Sequence, residues 1–449
     1  MMDLNSKLAS EKNRGRLYEL EGTSRRAILI GTYESGKDKP ESEEQLSELA
    51  SLCDTFGLQS VFRILCPIRA YDAGTFIGKG KVEEIKALIA EHSADLVIFD
   101  DEISPQQQRN LEKILEQYVI DRTELILGVF AQRAHSREAR IQIELATCRY
   151  QLPRLRRLWT HLERQRTGGA GKAGGGGKGG GYLKGMGETQ IEVDRRILRK
   201  RVDRLEKEIE EVKRNRETQR HARQRTGIPT FAIIGYTNVG KSTLLHALTD
   251  ADVLVEDKLF STLDTTTRKF LLPNRQEILL IDTVGFIRKI PHLLVASFKS
   301  TLEEAVEADI LLHLIDVSSP TAEVQAESTF EVLKELGAEK YPMITVLNKT
   351  DLCDNRLMIN KLCIKYPKTV EISALNKTGF DRLTELMVQE IARLRVRVKL
   401  RIPQSHYALV SELMRKGRVI SCEYEENDIL LDVEIPHDFN KDYKMFISE

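Results

Sequence analysis

The first part of the chain alternates short apolar runs with stretches whose apolar residues have helical spacing. The runs "RRAILIGT", "QSVFRILCPI" and "DLVIFD" are typical of buried strands. Between the first two runs, Leu46, Leu49 and Cys53 lie three or four positions apart, as do Cys53 and Phe56, which indicates one face of a helix. The segments "KVEEIKALIAEHSA" and "SPQQQRNLEKILEQ" predict two further helices. Strands that alternate with helices predict a parallel α/β sheet, and we assign residues 1–130 to this domain.

A heptad-like pattern replaces this alternation, and we assign residues 131–228 to it. Apolar residues recur mostly every three or four positions on both sides of a glycine-rich tract at 168–187. These positions are Leu145, Cys148, Leu152, Leu155, Trp159 and Leu162 before the tract, and Ile191, Leu198, Val202, Leu205, Ile209 and Val212 after it. Such seams are typical of helices that pack lengthwise. The pattern predicts an antiparallel helical hairpin with the glycine-rich loop at its tip.

The glycine tract and its flanks are basic. Twelve of the twenty residues at 168–187 are glycine, and the only charged ones are Lys172, Lys178 and Lys184. From Arg149 to Arg201 there are fourteen Lys or Arg against four Asp or Glu, a local excess of ten in a chain of net charge zero. This excess indicates a polyanionic partner, and the three lysines are candidate RNA contacts. A flexible linker is the alternative interpretation.

The cysteine spacing and the lengths of the apolar runs indicate the cellular compartment. The six cysteines are scattered without a CxxC pair, which fits a reducing environment. The N-terminal residues contain no apolar signal core, and no run of eighteen apolar residues is present. We expect a cytoplasmic protein without a membrane span. We also expect a monomer.

A phosphate-binding loop follows the second helix of the hairpin. The segment "TFAIIGYTNVGKSTLLHAL" contains an apolar strand, the pattern Gly235-x-x-x-x-Gly240-Lys241-Ser242, and a helix. In this context backbone N–H groups wrap the phosphates of a nucleotide, Lys241 reaches the β and γ oxygens, and the Ser242 hydroxyl ligates Mg²⁺. The strand and helix flanks make this match specific.

Downstream motifs narrow the nucleotide to GTP. The strand "ILLIDTVGF" ends at Asp282, whose carboxylate can hold Mg²⁺ through water, and the Gly285 N–H can meet the γ-phosphate. Lys241, Asp282 and Gly285 are therefore the candidate catalytic residues. The segment "VLNKTD" supplies Asn348 to brace the loop and Asp351 to accept hydrogen bonds from the guanine ring, and "EISAL" can contact the guanine oxygen. Together these motifs predict a P-loop GTPase domain over residues 229–396.

Two further regions are less explicit. The segment "KLFSTLDTTTRKF" should hold the switch threonine, which binds magnesium when GTP is present, and it offers Thr262, Thr265, Thr266 and Thr267. Residues 397–449 predict a small C-terminal α/β domain, with a strand and helix in "LRIPQSHYALVSELMRKG" and a strand in "DILLDVEIP".

The combination of motifs resembles the HflX family of translation-factor-related GTPases. The stretches that carry the resemblance are "GTFIGKGKVEEI", "GETQIEVDRRIL", "GYTNVGKSTLLHALT", "LFSTLDTTTRK" and "DTVGFIRKIPHLLVASFKSTLEE". The resemblance implies an N-terminal α/β domain, a hairpin with a glycine-rich loop, a G domain and a C-terminal domain. It also implies binding to the large (50S) ribosomal subunit, its 23S-type rRNA and ribosomal proteins, and the splitting of stalled ribosomes.

The resemblance also suggests roles for single residues. It favours Thr262 as the second magnesium ligand beside Ser242, with Thr266 as the other candidate. Asn238 resembles the loop asparagine of K⁺-stimulated GTPases, so K⁺ is a candidate activating cation. Phe286 stands where many GTPases place a water-orienting glutamine, which implies slow intrinsic hydrolysis that a partner stimulates.

The candidate GTP-binding residues all belong to the four nucleotide motifs or to the switch segment. They are Gly235, Tyr236, Thr237, Asn238, Val239, Gly240, Lys241, Ser242, Phe260, Ser261, Thr262, Leu263, Asp264, Asp282, Thr283, Val284, Gly285, Asn348, Lys349, Thr350, Asp351, Ser373, Ala374 and Leu375.

Two alternatives stay open. The N-terminal domain could hold a second nucleotide site, as in an RNA-remodelling factor, although the glycines of "GTFIGKG" do not form GxGxxG. A tRNA-modification GTPase shares the asparagine-containing loop. That family carries a cysteine motif at its C-terminus, whereas this chain ends "DYKMFISE".

Overall fold

The computed structural model describes residues 25–155, 180–226, 228–249, 260, 263, 265–289, 308–353, 355–366, 368–416, 418–425, 427–436 and 441–448. In the helix that starts at Gly180, side chains are described for residues 192–214 and for Thr218. The chain packs as two compact units, one built largely from residues before Glu211 and the other largely from residues after it. Within the described ranges, no helix combines the length and the apolar character that crossing a membrane requires.

The described residues between 26 and 226 form four strands and six α-helices. They are β1 (Arg26–Tyr33), α1 (Lys39–Phe56), β2 (Gln59–Pro67), α2 (Lys79–His92), β3 (Leu96–Phe99), α3 (Pro105–Leu115), β4 (Tyr118–Asp121), α4 (Arg122–Arg133), α5 (Arg137–Gln151) and α6 (Gly180–Thr226). The strands form one sheet in the order β2-β1-β3-β4, and every neighbouring pair is parallel. The parallel α/β fold predicted for the N-terminal domain is confirmed by this sheet.

Local sequence explains why these elements form. All four residues of β3 are buried, as expected for a strand covered on both faces of a parallel sheet. Helix α3 begins with a capping box, because the Ser104 hydroxyl accepts the Gln107 N–H at 3.2 Å and the Gln107 side chain accepts the Ser104 N–H at 2.9 Å. The start of α3 is thus fixed by residues close together in the sequence.

The carboxyl ends of β3 and β4, where a parallel sheet would bind a ligand, are held by buried ion pairs. Arg122 at the start of α4 donates to Asp100 at 2.6 Å and also pairs with Glu48. Asp100 is 2% exposed, so its carboxylate faces the arginine rather than solvent. This arrangement weighs against the alternative of a second nucleotide site at this edge.

Arg154 fastens the base of the hairpin to the same edge of the sheet. Its guanidinium donates to the Asp121 carboxylate at 3.2 Å and to the Ile103 carbonyl at 2.9 Å, and it lies 3.7 Å from the centre of the Tyr150 ring. Burial raises the pKa of Asp121 to about 6, and the charge of Arg154 opposes that rise. The short 3₁₀ turn Leu152–Arg154 that follows α5 is thereby tied to β4.

Helices α5 and α6 share an apolar cluster at their seam. Its buried members are Ile141, Leu145, Cys148, Leu155, Leu198 and Leu205. Ion pairs flank the cluster, with Arg149 and Glu206 at 2.7 Å and Arg201 paired with Glu144. Of the predicted seam positions, Trp159 and Leu162 lie outside the described residues, as does the side chain of Ile191.

Helix α6 begins earlier than the sequence predicts. The glycine-rich loop was expected over residues 168–187, but the helix starts at Gly180, inside that tract. Extending an existing helix gains one hydrogen bond per residue and needs no new nucleus, which offsets the poor helix propensity of glycine. Residues 168–179, with Lys172 and Lys178, lie outside the described residues, and so does the side chain of Lys184.

A six-stranded sheet and the four α-helices α7 to α10 belong to the second unit. The elements are β5 (Thr230–Gly235), α7 (Lys241–Thr249), β6 (Thr266–Leu271), β7 (Glu277–Asp282), β8 (Ile310–Asp316), α8 (Ala322–Glu335), β9 (Met343–Asn348), α9 (Arg356–Lys365), β10 (Thr369–Glu371) and α10 (Phe380–Leu394). The strand order is β10-β9-β8-β5-β7-β6, with β6 antiparallel to β7 and the other pairs parallel. The carboxyl ends of β5, β7 and β9 therefore meet at one edge, and all three predicted motifs follow those strands.

The C-terminal segment forms a separate three-stranded sheet. Its elements are β11 (Arg395–Pro403), α11 (Tyr407–Lys416), β12 (Arg418–Glu425) and β13 (Asp428–Pro436). The order is β11-β13-β12 and both pairs are antiparallel. An apolar cluster that includes Val410 and Leu413 of α11 packs on one face of the sheet. The predicted strands and helix are present, and β12 is an additional strand that the sequence pattern did not indicate.

Candidate nucleotide-binding site

The phosphate-binding loop lies between β5 and α7 and is shaped by close contacts that require glycine. Gly240 has a φ of +91°. Residues that carry a Cβ rarely adopt this left-handed backbone conformation. A Cβ added at Gly240 would lie 2.4 Å from the Asn348 amide nitrogen. The loop therefore packs directly on the asparagine of the guanine-specificity motif.

Lys241 is buried at the base of the loop. Its ammonium group donates to the Gly235 carbonyl at 3.2 Å and to the Tyr236 carbonyl at 2.6 Å. Burial lowers the pKa of Lys241 to about 8, while the nearby carboxylate of Asp282 favours the charged form. The backbone of the loop thus fixes the direction in which this lysine points.

Ser242 and Asp282 bring two oxygen ligands together. The Ser242 hydroxyl donates to the Asp282 carboxylate at 2.7 Å, and both residues are buried. Hydroxyl and carboxylate oxygens are the hard donors that Mg²⁺ prefers in nucleotide sites. The donor set therefore fits a magnesium ion, with Ser242 at the start of α7 and Asp282 at the end of β7.

Residues 283–289, which we call switch II, continue from β7 across the phosphate-binding loop. The Thr283 hydroxyl donates to the Ile233 carbonyl at 2.7 Å, which fastens the start of switch II to β5. A Cβ added at Gly285 would lie 2.8 Å from the Thr237 methyl carbon and 2.9 Å from the Lys241 nitrogen. The lack of a side chain permits this approach, which places the Gly285 backbone beside the Lys241 ammonium group.

The Phe286 side chain points into the core. Phe286 is 2% exposed. A buried aromatic ring cannot orient a water molecule by hydrogen bonding. The structure therefore places no water-orienting side chain at position 286.

Asn348 joins the phosphate side of the site to the guanine side. Its amide nitrogen donates to the Val239 carbonyl at 2.7 Å, and its amide oxygen accepts the Ala374 N–H at 2.9 Å. Asn348 and Ala374 are both buried. One side chain therefore links the phosphate-binding loop and the loop 373–375.

The remaining guanine-side residues range from buried Ser373 to exposed Asp351 and Leu375. The Thr350 hydroxyl donates to the Ile372 carbonyl at 3.0 Å, and the Ser373 hydroxyl accepts the Asn376 N–H at 3.1 Å. Asp351 is exposed, and Leu375 is 77% exposed. The carboxylate of Asp351 is therefore accessible to a guanine base.

Asp316 contacts a predicted site residue, although no sequence motif pointed to it. Asp316 ends β8, and its carboxylate lies 2.7 Å from the ammonium group of Lys349. The other oxygen of Asp316 accepts the Ser318 N–H at 2.9 Å, which orients the carboxylate. An aspartate at the end of the buried run "ILLHLID" is the same signal that identified Asp282, and it could have found this residue.

The switch threonines are only partly described. Ser261, Thr262 and Asp264 lie outside the described residues. Thr266 is paired with Asp282 across the antiparallel β6–β7 ladder, which brings the second magnesium candidate beside the strand end that carries the carboxylate.

The other switch residues that the structure describes are apolar and buried. Phe260 is 3% exposed and belongs to the first unit, where its ring centre lies 4.5 Å from that of Phe130. Leu263 is buried as well. Asn238, the candidate K⁺ ligand, is exposed at the turn of the phosphate-binding loop with a φ of +60°.

The sheet order, the phosphate-binding loop and the guanine-side loops define a P-loop GTPase. The chain matches three protein families in consecutive regions. They are described as "GTP-binding GTPase N-terminal" at residues 43–131, "GTP-binding GTPase Middle Region" at 133–223 and "50S ribosome-binding GTPase" at 230–349. The chain belongs to the HflX family of GTPases and is a GTP-hydrolysing enzyme. The family resemblance and the GTPase activity that the sequence predicts are confirmed.

Relatives cover almost the whole chain. The GTPase HflX of Chlamydia pneumoniae is 45% identical over 423 residues, which are 94% of this chain and 88% of the relative. The GTPase HflX of Escherichia coli K12 is 37% identical over 423 residues, 94% of this chain and 96% of the relative. A GTP-binding protein from Sulfolobus solfataricus, solved in complex with GDP, is 25% identical with a TM-score of 0.43 and covers 82% of this chain and 99% of that chain.

Proposed function

We propose that this GTPase associates with the large ribosomal subunit and dissociates stalled or idle ribosomes, acting in protein synthesis or ribosome biogenesis. The observation that carries the proposal is the match of residues 230–349 to the family described as "50S ribosome-binding GTPase". The same chain carries a local excess of ten positive charges around the glycine tract. Ribosomal RNA is a polyanion, and a basic segment lowers the free energy of binding to it by releasing counterions.

The hairpin supports this proposal. Helices α5 and α6 share a buried seam, and Arg154 ties the base of the hairpin to the first sheet. A glycine-rich loop can follow the irregular surface of an RNA cavity, while Lys172, Lys178 and Lys184 neutralise phosphates. We propose 23S-type rRNA as the ligand of these lysines.

Within the G domain, we propose a division of roles among the predicted site residues. Lys241 contacts the β- and γ-phosphates, and the Gly285 N–H contacts the γ-phosphate. Ser242 would hold Mg²⁺ together with Thr262 or Thr266, and Asp282 would hold it through water. When bound, Mg²⁺ neutralises the charge that develops on the phosphate oxygens. Asp351 selects guanine, so GTP and GDP are the nucleotide ligands.

Further proposals concern turnover and location. With Phe286 buried, intrinsic hydrolysis should be slow, and a ribosomal partner should complete the site. Asn238 supports K⁺ as an activating cation. All six cysteines are free in the structure, in keeping with the proposed cytoplasmic location, and the protein is proposed to act as a monomer.

Co-sedimentation with ribosomes tests the proposed function. The purified protein is layered with 70S ribosomes on sucrose gradients in the presence of GDP or of a non-hydrolysable GTP analogue. We expect the protein to travel with the 50S peak and the 70S peak to shrink when the analogue is present. Free protein at the top of the gradient under both conditions, with intact 70S particles, would contradict the proposal. Lys241→Ala is the control that loses the nucleotide but keeps the hairpin.

A further inference from the structure

The Tyr236 side chain connects the phosphate-binding loop to the far end of switch II. Tyr236 is 4% exposed, although it occupies the second position of the loop. Its hydroxyl oxygen accepts a hydrogen bond from the Arg288 backbone N–H at 2.8 Å. The hydroxyl therefore contacts protein backbone three residues beyond Gly285.

Backbone hydrogen bonds join the same two segments. The Phe286 N–H donates to the Gly235 carbonyl at 3.0 Å, and the Thr237 N–H donates to the Phe286 carbonyl at 2.7 Å. Tyr236 and Phe286 thereby form a parallel bridge that extends the pairing of β5 with β7. Switch II is thus held to the phosphate-binding loop at Phe286 by backbone and at Arg288 by the tyrosine hydroxyl.

Gly285 lies immediately before these two attachments. Its backbone approaches Thr237 and the Lys241 nitrogen so closely that a Cβ would come within 2.9 Å of both residues. A peptide N–H moves with the backbone on either side of it, because only the φ and ψ angles are soft. The position of the Gly285 N–H therefore depends on how firmly residues 286–288 are held.

We propose that Tyr236 is a positioning residue for GTP hydrolysis. It holds switch II against the phosphate-binding loop and so sets the place where the Gly285 N–H meets the γ-phosphate. This inference rests on the proposed γ-phosphate contact of Gly285. GDP has no γ-phosphate, so the hydroxyl contributes to the binding of GTP and to its hydrolysis but not to the binding of GDP.

Tyr236→Phe tests the proposal, because it keeps the buried ring and removes only the oxygen that accepts the Arg288 N–H. Tyr366→Phe is the matched control. Tyr366 lies in the same unit and is 7% exposed, and its hydroxyl makes no hydrogen bond within the described residues. For both full-length variants and the wild type, fluorescence titration gives the affinities for GDP and for a non-hydrolysable GTP analogue. Single-turnover assays give the rate of GTP hydrolysis.

We expect Tyr236→Phe to weaken binding of the analogue about fivefold and to slow single-turnover hydrolysis by a similar or larger factor, the size of effect that one lost hydrogen bond produces. Affinity for GDP should stay within about twofold of the wild type, and Tyr366→Phe should match the wild type in all three measurements. Equal losses for GDP and the analogue would show a merely structural role and overturn the proposal. Wild-type values throughout for Tyr236→Phe would overturn it as well.

Gly285→Ala separates this proposal from the role assigned to Gly285. If Gly285→Ala reduces analogue affinity relative to GDP while Tyr236→Phe does not, the γ-phosphate contact stands and the positioning role of Tyr236 is wrong. If Gly285→Ala leaves that ratio at the wild-type value, the contact itself is wrong and the positioning role fails with it.

Discussion

Asn348 donates to the carbonyl of Val239 across 2.7 Å, so the guanine-specificity motif supports the phosphate-binding loop directly. The same side chain accepts the Ala374 N–H. Replacing Asn348 by alanine would leave two buried backbone groups unpaired, at about 1 to 3 kcal/mol each. We expect Asn348→Ala to weaken GDP and GTP binding equally, by about tenfold or more, in a fluorescent-nucleotide titration. The exposed Asn360→Ala in α9 is the control, and unchanged affinity in Asn348→Ala would show that the link is dispensable.

Asp351→Asn should change which base the site prefers. In the proposed site, the exposed Asp351 carboxylate accepts hydrogen bonds from the ring N–H and exocyclic amine of guanine. An asparagine amide can instead donate to the corresponding oxygen of xanthine. We expect weaker binding of GTP and tighter binding of xanthosine triphosphate. Competition titrations with GTP, ATP and the xanthine nucleotide measure both effects. Equal affinity of the wild type for ATP and GTP would contradict the role of Asp351.

The stability of the second unit should depend on pH through His313. This residue of β8 is fully buried against Phe330, and neither ring nitrogen has a hydrogen-bond partner within the described part of the chain. Burial lowers the pKa of His313 from 6.5 to about 3. Because the unfolded chain binds a proton near pH 6.5 and the folded one does not until about pH 3, the free energy of unfolding should decrease as pH falls through this window, by up to about 1.4 kcal/mol per pH unit.

Urea unfolding at pH 7 and pH 5 measures this contribution. We expect His313→Leu to gain stability relative to the wild type as the pH is lowered, because leucine has no proton to bind. The exposed His406→Leu should leave the pH dependence as it is in the wild type. Parallel pH dependences for His313→Leu and the wild type would show that His313 is protonated in the folded state.

The lysines of the glycine tract should determine the salt dependence of ribosome binding. Replacing Lys172, Lys178 and Lys184 by alanine should weaken binding to 50S subunits and reduce the slope of log affinity against log salt by up to about three. Intrinsic GTP hydrolysis without ribosomes should be nearly unchanged. Replacing the same residues by arginine keeps the charge and is the control. An alanine variant with wild-type affinity and slope would favour the flexible-linker interpretation.

The sequence predicted those parts of the site whose atoms come from consecutive residues. The phosphate-binding loop supplies its backbone N–H groups, Lys241 and Ser242 within eight positions, and flanking strand and helix patterns place it in the fold. The parallel sheets could also be predicted from the sequence, because buried strands such as β3 consist entirely of apolar residues. In these cases the chemistry and the local structure are both encoded in short segments.

Contacts that depend on tertiary structure were not predicted. The pairing of Asp316 with Lys349 joins the ends of two neighbouring strands, and the bond from Arg288 to Tyr236 joins two loops 52 residues apart. No spacing rule links such positions in one sequence. The start of helix α6 was predicted too late for a related reason. The low helix propensity of glycine at Gly180 is outweighed by the cooperative extension of the helix that follows it. Sequence patterns therefore identified the motifs and the bracing Asn348, but not the supporting contacts made by Asp316 and Tyr236.

The attachment of Arg154 has a mechanical consequence. A guanidinium that donates to a strand-end carboxylate and a backbone carbonyl, and also stacks on an aromatic ring, has no free rotation to absorb strain. Tension applied along α5 is therefore transmitted to β4 and the first sheet, rather than dissipated by bond rotations at the joint. The base of the hairpin is attached to β4 at two neighbouring points, because the Tyr150 hydroxyl of α5 also donates to Asp121, at 2.9 Å.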